Sequence, residues 1–140
     1  MTLYLDSSVL VSALVEDEAS HEACLQLLRK KNAVVWTHAL TETFATLTGG
    51  RLGIRVAPAI AARLIEESLV PRLRLIELTA ADTIEVLRAC ASTGVRGGAI
   101  FDFLHLNAAR KSNATTLYTI NIRHFSALSR SGDPSIESPG

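Results

Sequence analysis

The chain reads as a single α/β domain built on a mainly parallel central sheet flanked by helices. Short apolar runs of strand length alternate with segments of helical periodicity along the chain. At 140 residues there is room for one ordinary hydrophobic core but hardly for two. No internal repeat and no second composition regime divides it, and a 48% hydrophobic, 20% charged composition belongs to a folded protein.

Taken in order, residues 1–5 read as a short buried strand that stops at Asp6, Ser7 and Ser8. A helical pattern starts at Val9, and a second spans about 19–31, with Cys24, Leu27 and Leu28 on one side. The run Ala33, Val34, Val35, Trp36 makes the second strand. The next helix places Leu40, Phe44 and Leu47 at i, i+4, i+7 and ends at Gly49 and Gly50. A helix is expected over 56–69, closed by Pro71, then a strand over 74–78 and a helix over 80–92 closed by Gly94. After the Gly97–Gly98 hinge comes a helix over 99–111, then a strand over 116–119 and a short helix over 122–128. The domain is therefore expected to cover 1–128. Residues 129–140, rich in Ser, Gly and Pro, are expected to form a loose C-terminal tail.

Fourteen basic and fourteen acidic residues cancel. A zero net charge argues against a protein that grips nucleic acid through a broad basic field, and it favours self-association or a protein partner. Cys24 and Cys90 lie in apolar helical patterns without metal-ligand spacing, which fits buried thiols in a reducing cytoplasm. The N-terminus reaches Asp6 without a basic leader or a long apolar run, so no signal peptide and no membrane span are expected.

Three carboxylates need explaining. Asp102 sits between Phe101 and Phe103 in a helix that is apolar almost all round. An ionised carboxylate there costs several kcal/mol unless it is paired or holds a cation. A first-turn position favoured by the helix dipole, or a pair with an arginine, is the competing explanation. Asp6 ends the first strand and precedes a helix, which suits a plain N-cap. The carboxyl ends of parallel strands are also where α/β folds bind ligands, and the two roles are compatible. Ser8 has its hydroxyl available in the same pocket or at the surface. Glu42 lies about 200° around the helix from Leu40 and from Phe44, off the apolar stripe, and follows the second strand closely. As a group, carboxylates converging on one sheet edge either retain a proton or bind a hard cation, and all-oxygen ligands select Mg²⁺ or Mn²⁺.

Four stretches follow in order: Asp6-Ser7-Ser8-Val9-Leu10, Leu40-Thr41-Glu42, the run from Gly97 to His105 that contains Asp102, and the run from Thr119 to Phe125. Together they resemble the successive motifs of PIN domains, and in order and spacing those of the VapC-type toxins. The resemblance covers residues 3–125. It implies a PIN-like three-layer fold with an acidic cleft in which Asp6, Glu42 and Asp102 hold Mg²⁺ or Mn²⁺ and RNA is cut endonucleolytically. It also implies a VapB-type antitoxin whose tail enters the cleft or its rim. The fourth motif departs: many members carry another aspartate, whereas this chain offers Asn121 and His124. Asn121 would complete the catalytic pocket through its amide, and His124 reads as a surface residue.

Arg51, Arg55, Arg110 and Lys111 are candidates for a basic RNA-facing rim, each competing with ordinary solvation. His105, one turn after Asp102 on the same helical face, is expected to be packed or hydrogen-bonded rather than a metal ligand. Ala57, Ile60, Ala61, Leu64 and Ile65 would supply either core or a homodimer face. A haloacid-dehalogenase-type phosphatase is disfavoured because Ser8 stands where its second aspartate belongs, and neither a P-loop nor a GxGxxG is present. A catalytically silent PIN-like binding module is the remaining alternative.

Overall fold

In the computed structural model, which describes residues 1–51 and 53–140, side-chain alternation along three short strands divides the core in two. Leu3, Leu5, Ala33 and Val35 point to one face of the sheet, where they meet Val9, Leu10, Leu27, Leu28 and Leu47. Tyr4, Val34 and Leu117 point to the other and pack against Leu106 and Phe125. Both faces of the sheet are covered, which is why these strands are continuously apolar.

The strands are β1 (Leu3–Leu5), β2 (Ala33–Trp36), β3 (Leu73–Ile76), β4 (Thr116–Tyr118) and β5 (Ser135–Glu137). They form one sheet in the order β3-β2-β1-β4-β5, parallel at every pairing. Around it stand α1 (Ser7–Leu14), α2 (His21–Arg29), α3 (His38–Gly49), α4 (Pro58–Leu64), α5 (Ala80–Thr93), α6 (Ala99–Lys111) and α7 (Ile122–Leu128). The expected α/β architecture is present. Strand order reverses between β1 and β4, and that crevice positions the site. Gly50 and Gly94 end α3 and α5 with φ of 73° and 76°, the left-handed caps that glycine adopts without a Cβ penalty.

Two expectations need correction. The helix expected over 56–69 is shorter and broken. Val56 and Ala57 stay outside it because Pro58 opens α4, and the chain widens into a π-type turn over Ile65–Leu69 before Pro71. Its Ala61 and Ile65 are core, whereas Ile60 is 54% exposed. The loose tail expected over 129–140 instead contains β5, which pairs with β4 through Thr116–Ser135 and Leu117–Ile136. Arg110 holds the approach to that strand. Its Nε donates to Asp133 Oδ1 at 2.6 Å and its Nη2 to Oδ2 at 2.8 Å, while the Arg130 N–H donates to Oδ2 at 2.7 Å. A three-residue edge strand with one apolar side chain, Ile136, leaves little pattern, so its polar composition concealed it.

Desolvation pushes the Asp133 carboxyl up, but the bonds from Arg110 and the Arg130 N–H outweigh it and leave the group below the ordinary carboxylate range. A carboxylate depressed in the folded state contributes stability above its unfolded pKa of about 3.9, and the contribution is lost as pH falls below that value. Asp133→Asn is therefore expected to cost about 1–3 kcal/mol at neutral pH in urea unfolding. The gap to the parent should shrink in acid, and a gap that does not change with pH would contradict the assignment.

Candidate functional site

Asp6 is the first residue beyond β1, and its extended backbone makes it the N-cap of α1. The capping bond runs from the Val9 N–H to Oδ1 at 3.2 Å. Ser8 Oγ donates to the same oxygen at 2.5 Å, and Thr119 Oγ1, just past β4, donates to Oδ2 at 2.7 Å. The crevice between β1 and β4 is thus bridged by side chains. Asp6 is only 4% exposed, and burial pushes its carboxyl up. The field of His105 and the bonds from Ser8, Thr119 and Val9 pull it part of the way back. A carboxylate offers about four acceptor positions. Three are taken, and the one left is on Oδ2.

Asp102 occupies the first turn of α6, where its charge suits the helix dipole. Its side chain is 28% exposed, with His124 Nδ1 3.6 Å from Oδ2. Among the described residues no hydrogen bond reaches its carboxylate, and the only charged partner is His124, on Oδ2. Burial raises this carboxyl, His105 and His124 lower it, and the negative charges of Asp6 and Glu42 raise it again. Asp102 therefore feels both other acids.

Glu42, on α3, is oriented differently. Its Oε1 lies 2.6 Å from His105 Nε2, while His105 Nδ1 lies 2.6 Å from the Tyr4 hydroxyl. His105 is buried and hydrogen-bonded, the role expected for it over metal ligation. With Glu42 on His105, no three acidic, histidine or cysteine side chains among the described residues already stand as a metal-holding group.

Asn121 caps α7 from an exposed position, and its N–H donates to Thr119 Oγ1 at 2.9 Å. It shares an open groove of about 330 Å³ with Ser8, Thr46, Arg51 and Ile120. A second cleft, beside Asp102, is lined by Gly98, Arg123 and His124. The expected rim is only partly present. Arg51 lines the groove, and Arg55 lies under Gly50. Arg110 is committed to Asp133 and Lys111 to Asp82 at 2.6 Å, so those two have structural partners. Sequence reasoning missed Thr119 as an Asp6 ligand, Tyr4 as the partner of His105, and Arg123 as a cleft residue. It also missed His38, which stacks between Trp36 and the 45% exposed Phe101, with ring planes 5° apart on the Phe101 side. The continuously apolar, fully buried run of β1 hid the polar task of Tyr4.

The family model for the PIN domain matches residues 3–130. The chain belongs to the PIN-domain family. Ribonuclease VapC27 of Mycobacterium tuberculosis is 34% identical to it over 112 residues, with 80% of each chain covered. Among solved structures, the sarcin-ricin-loop-cleaving toxin VapC20 of Mycobacterium tuberculosis superposes with a TM-score of 0.69 at 18% identity, over 95% of this chain and 100% of that one. DNA-bound VapBC from Salmonella typhimurium superposes with a TM-score of 0.70 at 17% identity, over 100% and 99%. Identities this low speak to the fold alone, and the fold is the PIN architecture.

In this PIN domain the Thr119 hydroxyl joins Asp6 to the backbone of Asn121. Thr119→Val should lower stability by about 1–3 kcal/mol in urea unfolding, because a buried carboxylate oxygen and an N–H lose their partner. Thr119→Ser should retain most of it, and a valine variant as stable as the parent would remove Thr119 from the site.

Proposed function

We propose that this PIN-domain protein is a divalent-metal-dependent endoribonuclease, the toxin half of a type II toxin–antitoxin pair acting in the cytoplasm. The observation that carries the reading is that Asp6, at the crevice where strand order reverses, and Asp102, on a different element, are both desolvated carboxylates, the charge of Asp6 reaching Asp102 and raising its carboxyl. Similarity to a protein named ribonuclease VapC27 supports the activity.

Asp6, Asp102 and Glu42 would hold Mg²⁺ or Mn²⁺. The donor chemistry fits, since all three offer carboxylate oxygens, the hard ligands these cations prefer. Asp6 keeps one acceptor position on Oδ2, and Asp102 has no hydrogen bond to either oxygen among the described residues, with His124 nearest to its Oδ2. When bound, such a cation polarises the scissile phosphate and makes a nucleophile available at neutral pH. Asp6, tied by three donors, presents its remaining position without a search over rotamers. Asn121 offers its side-chain amide at the groove and completes the catalytic pocket in place of a fourth acid. Arg51 and Arg123 are placed to meet backbone phosphates, and base identity would be read through RNA shape and unpaired loops.

Structural neighbours described as VapBC from Rickettsia felis and Salmonella typhimurium and as FitAB are toxin–antitoxin complexes. They support a VapB-type antitoxin as the protein partner here. Exposed Ile60 on α4 supports a homodimer face. No helix among the described residues is long and apolar enough to cross a membrane.

One observation favours a catalytically silent PIN-like module instead. Glu42 is turned onto His105, and no complete metal-holding group stands ready. Manganese titration of the purified chain separates the readings, since a silent module has no need to bind it.

The deciding experiment is cleavage of cellular RNA with Mg²⁺ or with EDTA, the new ends being mapped. Discrete cuts should appear only with the metal. Asp102→Asn keeps the shape and removes the charge, and should reduce cutting by about 100-fold or more. Undiminished cutting by that variant would defeat the assignment.

A further inference from the structure

His105 is buried, yet both of its ring nitrogens are engaged at 2.6 Å. The directions of these bonds follow from their partners. The Trp36 N–H donates to the Tyr4 oxygen at 3.3 Å, so the phenol's single proton is free to point at His105 Nδ1. Nδ1 then accepts, the ring proton sits on Nε2, and Nε2–H donates to Glu42 Oε1. The rings of Tyr4, Trp36 and Phe125 stand roughly perpendicular to the imidazole at 5.8, 5.2 and 6.4 Å and pack around it.

We propose that His105 and Tyr4 are positioning residues for the acidic site, anchoring Glu42 by Oε1 so that Oε2 is the single oxygen it offers toward Asp6 and Asp102. The inference rests on the metal-dependent reading above and deepens it. No hydrogen bond among the described residues claims Oε2, which leaves it available. The arrangement is economical in elements. Strand β1 supplies Tyr4 and leads directly into Asp6, and α6 carries both Asp102 and His105 on one face. The two elements that present the first two acids thereby also fix the third, which lies on a separate helix. A histidine that merely satisfied its own buried nitrogens would have no effect on cation binding.

The test uses the full chain free of antitoxin, with Mn²⁺ as the probe and free Mn²⁺ counted by electron paramagnetic resonance. His105→Leu should weaken Mn²⁺ binding by about 10–100-fold, the usual consequence of losing a group that orients a ligand. His105→Gln, whose amide restores a donor to Glu42, should recover part of the loss. Tyr4→Phe removes one atom from the core and keeps the ring, so it serves should His105→Leu not fold. It should weaken binding and move imidazole proton density from Nε2 toward Nδ1 in ¹⁵N spectra. In the parent, the neutral ring should carry its proton on Nε2, and a proton on Nδ1 would overturn the inference. So would Mn²⁺ affinity within about twofold of the parent in Tyr4→Phe and in a folded His105→Leu, where Asp102→Asn abolishes binding. That result would leave the metal-dependent reading intact. A parent chain that binds no Mn²⁺ would end that reading, and this inference with it.

Discussion

Burying the carboxylate of Asp6 is the demand around which the carboxyl edge of the sheet is arranged. An ionised carboxylate taken from water without partners costs several kcal/mol, a large part of a domain's net stability. Three donors meet that cost: the Val9 N–H and the Ser8 hydroxyl, both from the helix that Asp6 caps, and Thr119 from beyond β4. Because Thr119 and Asp6 are far apart in sequence, the bond between them exists only once β1 and β4 are paired. Ser8 strengthens the same closure by accepting from the Ile120 N–H at 3.0 Å. Folding of the central strands and assembly of the acidic edge are therefore one event.

The second organising element is α6. Its core-facing residues Leu106 and Ala109 pack on the Tyr4 side of the sheet, while Phe103 and Leu104 pack toward α5. So tight a seat leaves the polar residues of its first two turns little freedom of direction. Asp102 and His105 inherit that rigidity: one approaches the acidic edge and the other reaches Glu42 across to α3. A core built mainly of aliphatic side chains thus fixes the polar groups from below, and burial of those groups keeps their charges strongly coupled.

The class of fold and the positions of most elements were legible because they depend on local periodicity. Ala33–Trp36, Ala99–Lys111 and Ile122–Leu128 lie where their apolar spacing placed them. Asp6 and Asp102 stood out because a charge next to buried residues conflicts with its surroundings. What stayed hidden depends on contacts distant in sequence. β5 is held by a carboxylate that meets Arg110, 23 residues earlier, and by pairing with a strand edge. Tyr4 looks like any core aromatic until His105, 101 residues later, is folded against it. The break in the helix over 56–69 was in principle visible in Pro58 and Pro71. Pro71 set the expected end, but the apolar spacing outweighed Pro58, although a proline fixes where a helix can begin.

Electrical neutrality takes on a different meaning once the partners are known. Arg110 with Asp133, Lys111 with Asp82, Arg63 with Glu67 and Arg29 with Glu22 are positive charges already matched within the fold. Charges cancelled in this way add little to a long-range field, which suits a chain whose net charge is zero. The clefts by Asp6 and Asp102 are different, because Arg51 and Arg123 line them and neither has a carboxylate partner among the described residues. Cations so placed act over a few ångströms, within the screening length of physiological salt. For the proposed nuclease this favours recognition by local fit over capture at a distance, because a phosphate is attracted strongly only after the backbone has entered the groove.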